Sequence, residues 1–193
     1  MEEVENIPVA QPKEKRLTYE DYVALTPPDN GNYELHQGKI IFMASPTPTH
    51  QDIVTELCAR LRLFASAQQL GKVYTAPLDV VFSPIDTFQP DILFISTARF
   101  SIIGEKKIEG APDLVIEVLS ESNIPKEMSY KKHIYESSGV EEYWLINLAK
   151  STVTVYFNVA GELMPVGIFK NNDRVESQVL TGFAIGVSEI LEV

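Results

Sequence analysis

Two carboxylates stand where an apolar strand should carry none. Asp91 opens DILFIS directly after Pro90, and Glu117 lies inside DLVIEVLS between Ile116 and Val118. Short runs this rich in branched apolar residues read as central, buried strands. Asp and Glu are almost never fully buried unless paired or metal-bound. Side chains alternate along a strand, so Asp113, Val115, Glu117 and Leu119 share one face. On that face Glu117 is the outlier. One reading makes it a ligand for a hard divalent cation, shared with Asp91 across neighbouring strands. The other makes it the structural partner of a buried Lys or Arg.

The next segment supplies a candidate for either role. KEMSYKKHIYESSG (126–139) reads as a helix closed by Gly139. Met128, Ile134 and Tyr135 lie on the same side of it as Lys131, which places Lys131 inside the apolar stripe. Lys132, about 100° further round, is expected in solvent. An inward Lys131 can reach Glu117 as its counter-ion. It can equally stabilise an attacking water and the charge on a phosphoryl group. Both roles stay open at this level.

The remaining reactive side chains have plainer readings. His50 begins a helix, where it can contact a phosphate or serve as a polar helix end. His36 and His133 have no His or Cys at ligand spacing and read as surface residues. Cys58 is expected to be packed or half-buried on a helix, and Trp144 to belong to a core strand. No Walker A or GxGxxG pattern occurs, so no nucleotide cofactor is expected.

The elements that must position these groups follow from periodicity. Thr18 with Asp21 three residues on opens a short helix, YEDYVAL, which PPDNG at 27–31 stops. YELH, a Gln37-Gly38 turn and KIIFM read as a hairpin. Thr49 with Asp52 opens the longest helix, about residues 50–70, with Ile53, Leu57, Leu61 and Phe64 on one face and Gly71 at its end. VYTAPLDVVF (73–82) reads as a strand with an edge or bulge at Pro77. EEYWLIN follows the Lys131 helix as another strand, and TVTVYF, GELMPVGIF and VESQVL form a meander, with a last helical turn at SEILEV. The order predicts an α+β fold: a mixed sheet with a long helix on one face and a shorter one on the other.

Composition bounds the rest. The chain has 193 residues and a formal net charge of −11 from 16 Lys+Arg and 27 Asp+Glu. That length predicts one domain over 17–193, after a flexible polar tail, 1–16, broken by Pro8 and Pro12. The acidity argues against a nonspecific nucleic-acid binder, although basic and acidic residues balance between Arg99 and Lys132. A lone cysteine excludes an internal disulfide framework and a cysteine-based zinc cage. The apolar runs are too short to span a bilayer and the start has no signal-like apolar segment, so a cytoplasmic protein is expected.

QPDILFI (89–95), GAPDLVIEVLSESN (110–123) and YKKHIYESSGVEEYWLIN (130–147), with YELHQGKI (33–40), the His50 helix start and TVTVYF (152–157), resemble the Uma2 (Uma-two) family. This family of restriction-endonuclease-like proteins of unknown function is common in cyanobacteria and is placed in the PD-(D/E)xK nuclease superfamily. The resemblance covers roughly residues 18–193. It implies a restriction-endonuclease-like mixed sheet flanked by helices, with additional antiparallel strands. It implies Mg²⁺- or Mn²⁺-dependent hydrolysis of DNA phosphodiester bonds, by a homodimer. The superfamily's metal-binding acids fall on Asp91 and Glu117, with the carbonyl of Val118 as a further ligand. Its usual lysine would fall at 119, where this chain has Leu119; Lys131 is the match for a lysine that has migrated to the following helix. Glu34 matches an acidic position that completes the metal site, or is a polar residue of a half-exposed hairpin. Asp113 ranks below Asp91, as a residue opening its strand or as outer support for the ligands. Lys106 and Lys107, at the tip of the loop between the two acid-bearing strands, and His50 are the candidate nucleic-acid contacts. The competing reading, a nuclease fold that has lost catalysis and acts as a nucleic-acid-binding or regulatory module, draws on Leu119 and the net charge.

Overall fold

The computed structural model describes residues 15–27, 32–119 and 125–192; most of the expected tail lies outside these residues. Helix α1 (Tyr19–Leu25) opens as the sequence predicts, with Thr18 accepting from the Asp21 N–H and Asp21 answering the Thr18 N–H. The hairpin follows as β1 (Asn32–His36) and β2 (Lys39–Met43). Its two turn residues, Gln37 and Gly38, have φ of 52° and 74°, the left-handed pair that a tight hairpin needs. Gly38 is obligatory for a second reason: a Cβ there would stand 2.6 Å from the Cβ of Arg16.

The long helix α2 spans Pro48–Ala67, not 50–70. Its cap is Thr47, whose hydroxyl accepts from the His50 N–H. Pro48 decides this, because proline favours the first helical position and leaves the residue before it as the cap. The far end closes on Gln69 in the left-handed region, with the Leu70 N–H donating to the Ala65 carbonyl. Gly71 belongs instead to the next strand, where a Cβ would meet the Ile95 carbonyl oxygen at 2.1 Å.

The stretch 73–82 is not one strand. It divides into β3 (Gly71–Thr75) and β4 (Val80–Ser83), which join different sheets. Pro77 has no N–H to continue a ladder, and the chain turns away there. Two short strands, β5 (Asp86–Phe88) and β7 (Ile108–Glu109), flank β6 (Ile92–Ser96) in sequence and pair only at long range. Then come β8 (Leu114–Leu119), α3 (Pro125–Ser138), β9 (Glu142–Asn147), β10 (Thr152–Val159) and β11 (Glu162–Lys170). The chain ends with β12 (Arg174–Glu176), β13 (Ala184–Gly186) and α4 (Val187–Leu191). Of the expected VESQVL strand only Val175 and Glu176 are extended.

A six-stranded sheet, ordered β11-β10-β9-β8-β6-β3, forms the frame, and its β8–β9 pair is parallel. A parallel pair needs a crossover, and α3 supplies it. One face of this sheet, with Ile92, Phe94, Leu114, Ile116, Trp144 and Ile146, packs under Ile53, Leu57 and Leu61 of α2. Alternation sends Val115 and Tyr143 to the opposite face, against Tyr135 of α3 and Phe88 of β5. The five-stranded sheet β2-β1-β5-β4-β7 therefore covers the same face as α3. The expected mixed sheet between two helices is present, and this second sheet is added to it. No helix among the described residues is long and apolar enough to cross a membrane.

Glu142 ties the C-terminal segment to the frame. It is fully buried; Oε1 accepts from the Trp144 indole at 2.7 Å. Its Oε2 accepts from the Ser177 hydroxyl at 2.8 Å and from the N–H groups of Gln178 and Val179 at 3.0 and 2.9 Å. Burial raises its pKa against the pull of these bonds. Glu142→Gln turns an acceptor into a donor facing donors, and is expected to cost about 2 kcal/mol. Chemical denaturation checks this: the midpoint should fall, and an unchanged midpoint would show that the segment is held by packing alone.

Candidate active site

Strands β6 and β8 run antiparallel, with Ile92 opposite Ile116. One step along that ladder brings the start of β6, Asp91, to the end of β8, Glu117. Asp91 Oδ2 accepts from the Val118 N–H at 2.8 Å. The N–H and C=O of a strand residue point to the same edge, so the Val118 carbonyl faces the edge that Asp91 occupies. From the first turn of α2, His50 reaches the same oxygen, with Nε2 3.2 Å away. The His50 Nδ1 is buried and has no hydrogen-bond partner among the described residues.

Glu117 points to the other face of β8, beneath α3. Its Oε1 lies 2.6 Å from the Lys131 ammonium and accepts from the Tyr135 hydroxyl at 2.5 Å. The same ammonium donates to Glu34 Oε1 at 3.0 Å. Glu34 also accepts from the Gln89 N–H at 2.8 Å, and its Oε2 lies 2.7 Å from His36 Nε2. Glu34, Glu117 and Lys131 are 1%, 6% and 3% exposed, so one buried cation serves two buried anions.

That imbalance sets the electrostatics. Burial alone would raise the Glu34 pKa, but Lys131 and His36 outweigh it and hold the carboxyl well below its usual range. Glu117 goes the other way: burial dominates, and the charges of Asp91 and Glu34 add to it against the pull of Lys131. This holds although Lys131 is closer to Glu117 than to Glu34. Burial lowers the Lys131 pKa, yet the two carboxylates more than reverse that and keep the ammonium charged. For His50 the hydrogen bond to Asp91 is the largest cause of a raised pKa, opposed by burial and helped by the charges of Asp91 and Glu117.

These groups line an open cleft of about 280 Å³, which also takes Glu127 at its rim. Four carboxylates and one lysine make it strongly negative, and such a cleft attracts a cation. As the side chains stand, no three of the described His, Cys, Asp and Glu residues already form a metal cage. The Asp91 and Glu117 oxygens are held by the protein's own donors: His50 and Val118 on one, Lys131 and Tyr135 on the other. The donor set fits a hard divalent ion, with two carboxylates and a backbone carbonyl at one strand edge.

The structure thus gathers Asp91, Glu117, Val118, Lys131, Glu34 and His50 around one cleft. It does not bring Lys106, Lys107 or Asp113 there. In an antiparallel pair the strand start and the partner's end meet at one end, and the connecting loop closes the other. Lys107 lies over the Tyr19 ring at 4.2 Å and pairs with Glu109 at 3.3 Å, while Lys106 is exposed. Asp113 accepts from the Ser96 N–H at 2.7 Å and lies 3.7 Å from Arg99, opening its strand far from the ligands. Glu34 is buried, not half-exposed, and His36 is no surface residue; its ring packs on Phe88 and Tyr130. His36 stands two residues from Glu34 on one strand, and Tyr135 four from Lys131 on one helix, so their shared faces were readable. The Gln89 contribution comes from its backbone and carries no side-chain signal.

The chain matches the Uma2 family, described as "Putative restriction endonuclease", over residues 19–188. Among solved structures it is similar to a putative nuclease belonging to DUF820 from Anabaena variabilis ATCC 29413. The TM-score is 0.77 at 20% identity, over 91% of this chain and 98% of that one. No curated protein sequence matches it significantly.

Lys131→Met strands two buried carboxylates and is expected to cost about 3 kcal/mol at neutral pH. Without the ammonium both pKa values lie above their unfolded values, so the mutant gains stability as pH falls and protons bind. Denaturant unfolding from about pH 8 to about pH 5 checks this; the mutant's deficit should shrink on acidification, and a constant deficit would contradict the ion-pair account.

Proposed function

This chain belongs to the Uma2 family, and from that premise we propose that it is a metal-dependent endonuclease hydrolysing DNA phosphodiester bonds. The observation that carries the reading is the meeting of Asp91, Glu117 and an inward Lys131 at one strand edge. Asp91, Glu117 and the Val118 carbonyl would hold Mg²⁺ or Mn²⁺. A metal bound there supplies a water of lowered pKa and neutralises charge on the scissile phosphate.

The chain's own residues do the rest. Tyr135 and Lys131 fix Glu117 through one oxygen, so the carboxylate is oriented before any ion arrives. Lys131 stays protonated at neutral pH and offers its charge where a phosphoryl group gains negative charge. Glu34 has three hydrogen-bond partners of its own and acts as the second anchor of Lys131 more than as a ligand. The lysine absent at 119 is replaced in space by Lys131, which weakens the main sequence argument for an inactive fold. A cytoplasmic homodimer suits this activity, since two symmetric sites cut the two strands of a duplex most simply.

The test is cleavage of supercoiled plasmid DNA with Mg²⁺ or Mn²⁺. Wild type is expected to nick and linearise it, and Glu117→Ala to lose about 100-fold or more in rate while keeping its thermal transition. Equal metal-dependent cleavage by both proteins would overturn the assignment. Failure of wild type on DNA, with metal binding intact, would point to another nucleic-acid substrate; loss of metal binding as well would favour the binding module.

A further inference from the structure

His50 is poorly explained as a helix-end polar group or as a phosphate contact. Its side chain is 9% exposed, and its Nε2 is 3.2 Å from a carboxylate oxygen in a cleft rich in carboxylates. An anion would be repelled there. Its second nitrogen, Nδ1, is buried with no partner among the described residues. A buried histidine with a purely structural task normally has its polar atoms satisfied.

The distance has a simple meaning. Two ligands about 2.1 Å from one ion and at right angles to each other lie about 3 Å apart. Asp91 Oδ2 and His50 Nε2 already have that separation. The ring is also presented rigidly. It sits in the first turn of a 20-residue helix, with its own N–H held by the Thr47 cap.

We infer that His50 is a third side-chain ligand of the cation held by Asp91 and Glu117, through Nε2, and that it biases the site toward Mn²⁺ over Mg²⁺. This rests on the metal-dependent reading above. Imidazole binds first-row transition ions far better than it binds Mg²⁺, which prefers oxygen and water. A neutral ring bound through Nε2 carries its proton on Nδ1, which a water in the cleft would accept.

The experiment uses the metal-free full chain. Mn²⁺ and Mg²⁺ are titrated separately by calorimetry, and the Mn²⁺ complex is examined by pulsed electron paramagnetic resonance for coupling to a directly bound nitrogen. Wild type should show the nitrogen coupling and bind Mn²⁺ more tightly than Mg²⁺. His50→Ala and His50→Gln should both lose the coupling. They should lose about tenfold or more in Mn²⁺ affinity, with a clearly smaller change for Mg²⁺. If one variant fails to fold, the other and the wild-type spectrum still decide. Bound Mn²⁺ without nitrogen coupling, or an unchanged Mn²⁺ to Mg²⁺ ratio in the variants, would overturn the role of His50. If Asp91→Asn still abolished binding in that case, the metal site itself would stand. No binding by wild type, or binding indifferent to Asp91→Asn, would overturn both.

Discussion

A single ammonium group holds the centre of this molecule together. Lys131 Nζ lies 2.6 Å from Glu117 and 3.0 Å from Glu34, with all three side chains out of solvent. Removing any member would leave a buried charge uncompensated, which is among the largest single penalties a fold can meet. The three residues come from a hairpin strand, a central strand and a crossover helix. Their contact therefore locks the second sheet and α3 onto the same face of the frame. It also leaves a surplus of negative charge, because Asp91 stands at the next strand edge with only His50 and a backbone N–H to face it. Stability and function share this imbalance: one cation is enough to let the chain fold, and too few to neutralise the cleft.

Topology then decides where substrate can approach. Because β6 and β8 are antiparallel, the cleft opens where β6 begins and β8 ends. The connection that carries Lys106 and Lys107 is at the opposite end, engaged with α1. The walls of the cleft come instead from the β1–β2 hairpin and the start of α2. With a net charge of −11 and carboxylates lining the cleft, a polyanion meets repulsion unless a divalent ion is present. Metal binding and nucleic-acid binding are coupled by this field, and the hairpin and α2 determine which shapes reach the ion.

The amino-acid sequence alone determined the local elements and the chemical types at the site. Capping at Thr18, the Gln37-Gly38 hairpin, the apolar stripes of α2 and α3 and the alternation in β8 all depend on neighbours within a few residues. The anomaly of Glu117, the inward face of Lys131 and the family resemblance were readable for the same reason. Tertiary structure alone decided what those groups touch. The strands β5 and β7 span three and two residues, too few to show a period, and they exist only because distant partners complete their ladders. His50 and Asp91 are 41 residues apart, and Lys131 and Glu34 are 97 apart. Contacts at such separations follow from strand order and register. Those are set by the packing of whole faces, so periodicity can say which way a side chain points but not what it meets.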